Sequence, residues 1–99
     1  SDVCSSDLLS ERALDELRAI SVYGIETFGL HQTSCYLQGL QKTFASLAEH
    51  PRMGRLARNL KGGVRRHEHR AHVIFYEESS DGIFIVRILH KSQLDRLTL

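Results

Sequence analysis

The sequence predicts an α+β fold in which an N-terminal helical hairpin packs on one face of a C-terminal antiparallel sheet. Three observations predict it. Apolar residues recur at steps of three and four between Ser10 and Pro51, short β-branched runs fill the stretch from Val64 to His90, and a Lys61-Gly62-Gly63 break separates the two halves. A chain of 99 residues makes one domain, near the small end of what buries a core unaided. Its 41% hydrophobic and 25% charged shares are those of a water-soluble globular protein, and no run approaches the roughly 18 apolar residues of a membrane span.

The first helix starts at Ser10, a residue type whose hydroxyl caps free backbone amides. It continues through Ala13, Leu17, Ile20, Gly24 and Phe28 along one face, with Glu11, Arg12, Glu16 and Arg18 elsewhere on the wheel. Gly29 stands where a helix ends on a left-handed residue. Tyr36, Leu37, Leu40, Phe44 and Leu47 then form the stripe of a second helix, which Pro51 brings to an end. Arg52-Met53-Gly54-Arg55 is a turn, and Leu56 to Leu60 is expected to form one more helical turn.

Two strands stand out, Ala71 to Glu77 and Ile83 to His90, joined by Ser79-Ser80-Asp81-Gly82, whose Asp-Gly can supply positive φ. A weaker strand at Val64 to His67 precedes them. Simple alternation puts Phe84, Val86 and Ile88 on one face, joined by Val73 and Phe75. It puts Ile83, Ile85, Arg87 and Leu89 on the other, joined by His72, Ile74 and Tyr76. Neither face is polar. Phe75, Val86 and Ile88 are expected to meet Leu17, Ile20, Leu40 and Phe44, leaving the second face open.

Ser1 to Leu8 has a composition unlike the rest and matches what a common sequencing-adapter oligonucleotide encodes when read in frame. The segment 1–8 is therefore expected to be an artefact or a disordered tail, with a single domain over 9–99. Removing Asp2 and Asp7 leaves 13 Lys and Arg against 10 acids, which moves the formal charge from +1 to +3. Cys4 and Cys35 are too few for a disulfide framework, which fits a reducing cytoplasm, and Cys35 is expected to be a small core residue. His67 and His69 would share a strand face, but Arg66 and Arg70 beside them disfavour a dication. No metal and no cofactor is expected, and His67 to His72 is read as a hydrated turn. Gly62-Gly63 lacks the strand, turn and helix context of a phosphate-binding loop. Arg87 is the unusual residue. A charge between Ile85 and Leu89 costs too much to leave buried and unpaired, so it must meet a carboxylate, a phosphate or solvent at a binding surface.

From about Leu9 to Leu94 the chain resembles toxins of the RelE/ParE superfamily of type II toxin-antitoxin systems, within it the ParE-like branch. The resemblance rests on ERALDELRAI with YGIETFG, on FASLAEHPRMGR, and above all on GVRR, HVIFYE and IFIVRILH at their usual separations. It implies a non-enzymatic protein that binds DNA gyrase, traps its cleaved-DNA intermediate and is neutralised by a ParD-like antitoxin. Two alternatives stay open: a ribosome-dependent endoribonuclease of the RelE type, and an inactive module that only binds antitoxin. The family opens with a strand directly before the residues matching Leu9-Ser10-Glu11. That strand is expected to be missing or replaced here. The target-binding candidates are Arg65, Arg66, Arg87 and His90, of which Arg65, Arg87 and His90 would be catalytic if the protein were an endoribonuclease. On strand alternation alone Arg65 and Arg66 read rather as a solvated strand edge, and His90 as a strand-end histidine. Ile74, Ile83, Ile85 and Leu89, on the face left open, are expected to bind the antitoxin. Direct nucleic-acid binding is undecided by the sequence.

Overall fold

The computed structural model describes residues 7–57, 62–80 and 82–96. Helix α1 spans Glu11–Phe28 and helix α2 Leu30–Glu49. The sheet contains β1 Asp7–Leu9, β2 Arg55–Leu56, β3 Arg65–His69, β4 His72–Ser79 and β5 Gly82–His90, in the spatial order β1-β5-β4-β3-β2. Strands β2 to β5 are antiparallel, and β1 lies parallel to β5 with Leu9 opposite Ile85.

The helices begin and end where their residues dictate. Ser10 Oγ accepts the amide of Ala13 at 3.0 Å and donates to the Val86 carbonyl at 2.8 Å, so one hydroxyl caps α1 and fastens it to β5. Gly29 alone joins the helices, at φ 89° and ψ 165°, a region open essentially only to glycine. This differs from the left-handed helical conformation expected there. Gly24 lets the helices approach closely, because a Cβ at this position would lie 2.8 Å from Thr33 Oγ1. Pro51 opens a 3-10 turn, Pro51–Met53, and a second, Lys91–Arg96, follows β5.

One expectation for local structure needs correction. Arg55, expected in a turn, and Leu56, expected to start a helical turn, pair with Arg66 and Arg65 as strand β2, while 58–61 lie outside the described residues. A strand stands before α1, and it uses residues 7–9, the first two of them from the segment 1–8, whose other residues lie outside the described ones.

The helices cover the opposite sheet face from the one expected. Near the loop the hairpin closes symmetrically, pairing Tyr76 with Ile85, but a β-bulge then makes Phe75 pair with Arg87 and leaves Val86 as the extra residue. Beyond the bulge, Ile88 and Leu89 exchange faces. The helix-facing core therefore joins Ile74, Tyr76, Ile83, Ile85 and Ile88 to Ala13, Leu40, Phe44 and Leu47. Phe75 lies on the other face, in a smaller cluster with Ala57, Val64, Val73 and Leu89. Ile74, Ile83 and Ile85 are fully buried and Leu89 nearly so, which makes them core residues and corrects their assignment as an antitoxin surface. Each such side chain contributes roughly 1.5 to 3 kcal/mol by leaving water.

Candidate functional site

The bulge creates a polar anchor between sheet and helix. Arg87 Nε and Nη2 lie 2.8 and 2.7 Å from Glu16 Oε2, while Oε1 of the same carboxylate accepts the Ile88 amide at 2.8 Å. Three donors surround one carboxylate, and both side chains are largely buried, with 14% and 20% exposure. Of the partners that the lone guanidinium required, the chain supplies its own acid.

Beside this anchor, a cleft of about 880 Å³ opens between α1, α2 and the β3–β4 end of the sheet. Its floor is a ring cluster drawn from four elements. Tyr36 Oη lies 2.6 Å from His72 Nδ1, and its ring centroid lies 5.3 Å from that of His69. His72 meets His90 edge-on at 5.3 Å, because the bulge sets these two residues opposite each other. Thr43 Oγ1 lies 3.1 Å from His69 Nδ1. Burial, reinforced by the neighbouring His90 and His69, lowers the His72 pKa to about 4 and leaves the ring neutral near pH 7. Burial also lowers His69, with help from Arg70 and His67, and raises the Tyr36 hydroxyl. Thr33 Oγ1 and His69 Nε2 are buried at the cleft without a hydrogen-bond partner. Arg70, at the turn between β3 and β4, holds φ 53°.

The helical hairpin is apolar where it borders the cleft. Tyr23 and Phe28 stack edge-on at 6.3 Å and are 64% and 56% exposed, with Val22, Ile25 and Leu30 also exposed. Phe28, expected to be buried on the helical stripe, is thus at the surface. Cys35 is also exposed rather than in the core.

The sequence-derived site residues do not converge. Arg65 Nη1 donates to the Gly54 carbonyl at 2.8 Å, Arg87 is held by Glu16, and His90 Nδ1 accepts the Ser92 amide at 3.1 Å. Arg66 lies apart, over the Phe75 ring on the face away from the helices. Among the described residues no hydrogen bond or ion pair joins any two of these four. No group of three or more His, Cys, Asp or Glu side chains there is arranged to hold a metal ion. The stretch read as a hydrated turn is largely strand β3, with the turn confined to Arg70 and Ala71. The Tyr36, His69, His72 cluster escaped sequence reasoning, although an aromatic on a helix stripe and two histidines flanking a tight turn were its signals.

A solved structure described as the chromosomal ParDE TA system from P. aeruginosa shares the fold, with a TM-score of 0.70 over 85% of this chain and 92% of that one, at 19% identity. Residues 8–95 match the family described as ParE toxin of type II toxin-antitoxin system, parDE. The chain is 38% identical over 91 residues to Toxin ParE1 of Caulobacter vibrioides, covering 92% of this chain and 94% of the relative. It is 33% identical over 85 residues to Toxin ParE1 of Mycobacterium tuberculosis, covering 85% and 87%. The protein belongs to the ParE toxin family of type II toxin-antitoxin systems. Among the described residues no helix is long and apolar enough to cross a membrane.

Proposed function

We propose that this ParE-family toxin acts without catalysis, by binding DNA gyrase and holding its cleaved-DNA intermediate, and that a ParD-like antitoxin neutralises it. The observation that carries the non-enzymatic reading is that the candidate residues are engaged by separate partners within the chain. Cleavage of RNA at a ribose 2'-hydroxyl needs a base or acid and a cation around one phosphate. Here Arg65 is engaged at Gly54, Arg87 is spent on Glu16, and His90 sits with Ser92. The family description names parDE, which supports a ParD-type partner.

With Ile74, Ile83, Ile85 and Leu89 in the core, the proposed antitoxin surface is the exposed hairpin ridge of Val22, Tyr23, Ile25, Phe28 and Leu30 and the cleft below it. An amphipathic helix laid there would cover the rings of Tyr23 and Phe28. The test places purified protein with gyrase and plasmid in a supercoiling and cleavage assay, beside a ribosome-bound message assay. Gyrase-dependent cleaved plasmid, suppressed by antitoxin, is the expected result. A cut message with unaffected gyrase would replace this reading by the endoribonuclease one, and inactivity in both assays with antitoxin still bound would leave only the inactive module.

A further inference from the structure

The sheet face turned away from the helices carries a charge cluster that neither gyrase inhibition nor antitoxin binding accounts for. Register places Arg66 opposite Phe75, Glu68 opposite Val73 and Arg55 opposite Arg66, all on the side of the smaller apolar cluster. Glu68 Oε1 lies 3.6 Å from Lys91 Nζ, and its Oε2 lies 3.4 Å from Arg66 Nη2 and 3.9 Å from Arg55 Nη2. Three cations share one carboxylate, a local charge of +2, and no contact is the short two-pronged pairing that would occupy a guanidinium. Arg66 Nε makes no hydrogen bond at all, and the guanidinium carbon sits 5.8 Å from the centroid of the Phe75 ring.

We propose that Arg55, Arg66 and Lys91 form a binding site for the phosphodiester backbone of duplex DNA. Lys91 and Arg55 are 47% and 73% exposed, so their unused donors face solvent, where phosphate oxygens reach them. Arg66, resting on Phe75, supplies a charge that is already oriented. The ring at the patch is itself only 1% exposed, so it offers unpaired bases no surface to stack on. A site with charge and no stacking platform holds backbone and reads no sequence. This goes beyond the gyrase reading, and its test needs neither gyrase nor antitoxin, so the two can fail separately.

The experiment measures anisotropy of a labelled DNA duplex of mixed sequence against the full chain over a series of salt concentrations. Binding should weaken as salt rises, with a log–log slope of about −2 to −3 for three neutralised phosphates. The Arg55→Ala/Lys91→Ala double variant, which keeps the fold because both residues are exposed, should bind at least about tenfold more weakly at low salt. Its slope should be shallower by about 1 per cation removed. Glu68→Gln should tighten binding, since it removes the competing carboxylate. That gain is the readout a merely structural cluster would not give. Circular dichroism melts of each variant check folding. Salt-independent or absent binding, an unchanged double variant, or a weakened but folded Glu68→Gln would overturn the proposal. A single-stranded RNA of equal length bound more tightly than the duplex, or polyglutamate bound as tightly, would overturn the duplex assignment.

Discussion

Replacing Arg87 by alanine removes a hydrogen bond and a 2.7 Å ion-pair contact to Glu16 and strands its carboxylate, 20% exposed, with only the Ile88 amide for a partner. Breaking one side of such a buried pair costs about 3 to 5 kcal/mol, because the remaining charge stays desolvated without compensation. Glu16→Ala should cost as much, since it leaves the guanidinium unpaired and the Ile88 amide unsatisfied. A domain of this size holds about 5 to 15 kcal/mol in all, so either variant stands close to unfolding and loses toxicity through instability. Urea melts of Arg87→Ala, Glu16→Ala and the double variant measure this, and a Glu16→Met/Arg87→Met pair tests whether an apolar replacement rescues. The double variant should lose clearly less than the sum of the singles, since both remove one interaction. Single losses below 1 kcal/mol, with toxicity abolished in Arg87→Ala, would refute the anchoring role and return Arg87 to the target-binding surface.

Three further outcomes follow from the packing. Phe44, 3% exposed where α2 meets the sheet, should cost about 3 to 5 kcal/mol as Phe44→Ala, and a loss below 1 in denaturant melts would remove it from the core. Gly54→Ala would bring a Cβ within 2.7 Å of the Arg66 carbonyl oxygen and against the Tyr76 hydroxyl, which accepts the Gly54 amide and donates to Pro51. A cost of about 1 to 3 kcal/mol is expected, and a neutral melt would show that this turn is free to shift. His72 has a folded pKa of about 4 against an ordinary 6.5, so the stability it contributes is complete above pH 6.5 and is lost as pH falls towards 4. After discounting for its partial exposure, the loss between pH 7 and pH 5 is about 1 to 2 kcal/mol, and His72→Gln should flatten that dependence. An unchanged pH profile in the variant would assign the acid sensitivity elsewhere.

The helices were legible because their signals are local: a Ser cap, a spaced apolar stripe, Gly29 at the joint and Pro51 at the end. The hairpin was legible for the same reason, as Asp81-Gly82 lies between two β-branched runs. The choice of covered face was not. Both faces of β4 and β5 are apolar, so alternation names two sets without saying which one the helices take, and the presence of Arg87 pointed to the wrong one. The bulge at Val86 has no glycine or proline to announce it. It nevertheless decides most of the site, because it exchanges Ile88 with Leu89, delivers Arg87 to Glu16 and brings His90 rather than Leu89 opposite His72. The basic cluster required strand register across β2 and β3, which two residues of β2 do not advertise in sequence.

The measurement that bears most directly on the central reading is gyrase-dependent DNA cleavage by the purified protein, with and without its antitoxin. Linear or nicked plasmid that accumulates with toxin concentration, disappears when antitoxin is added and is absent when gyrase is omitted is the predicted result. Unchanged supercoiling and no trapped cleavage complex, from protein shown by its melt to be folded, would contradict it.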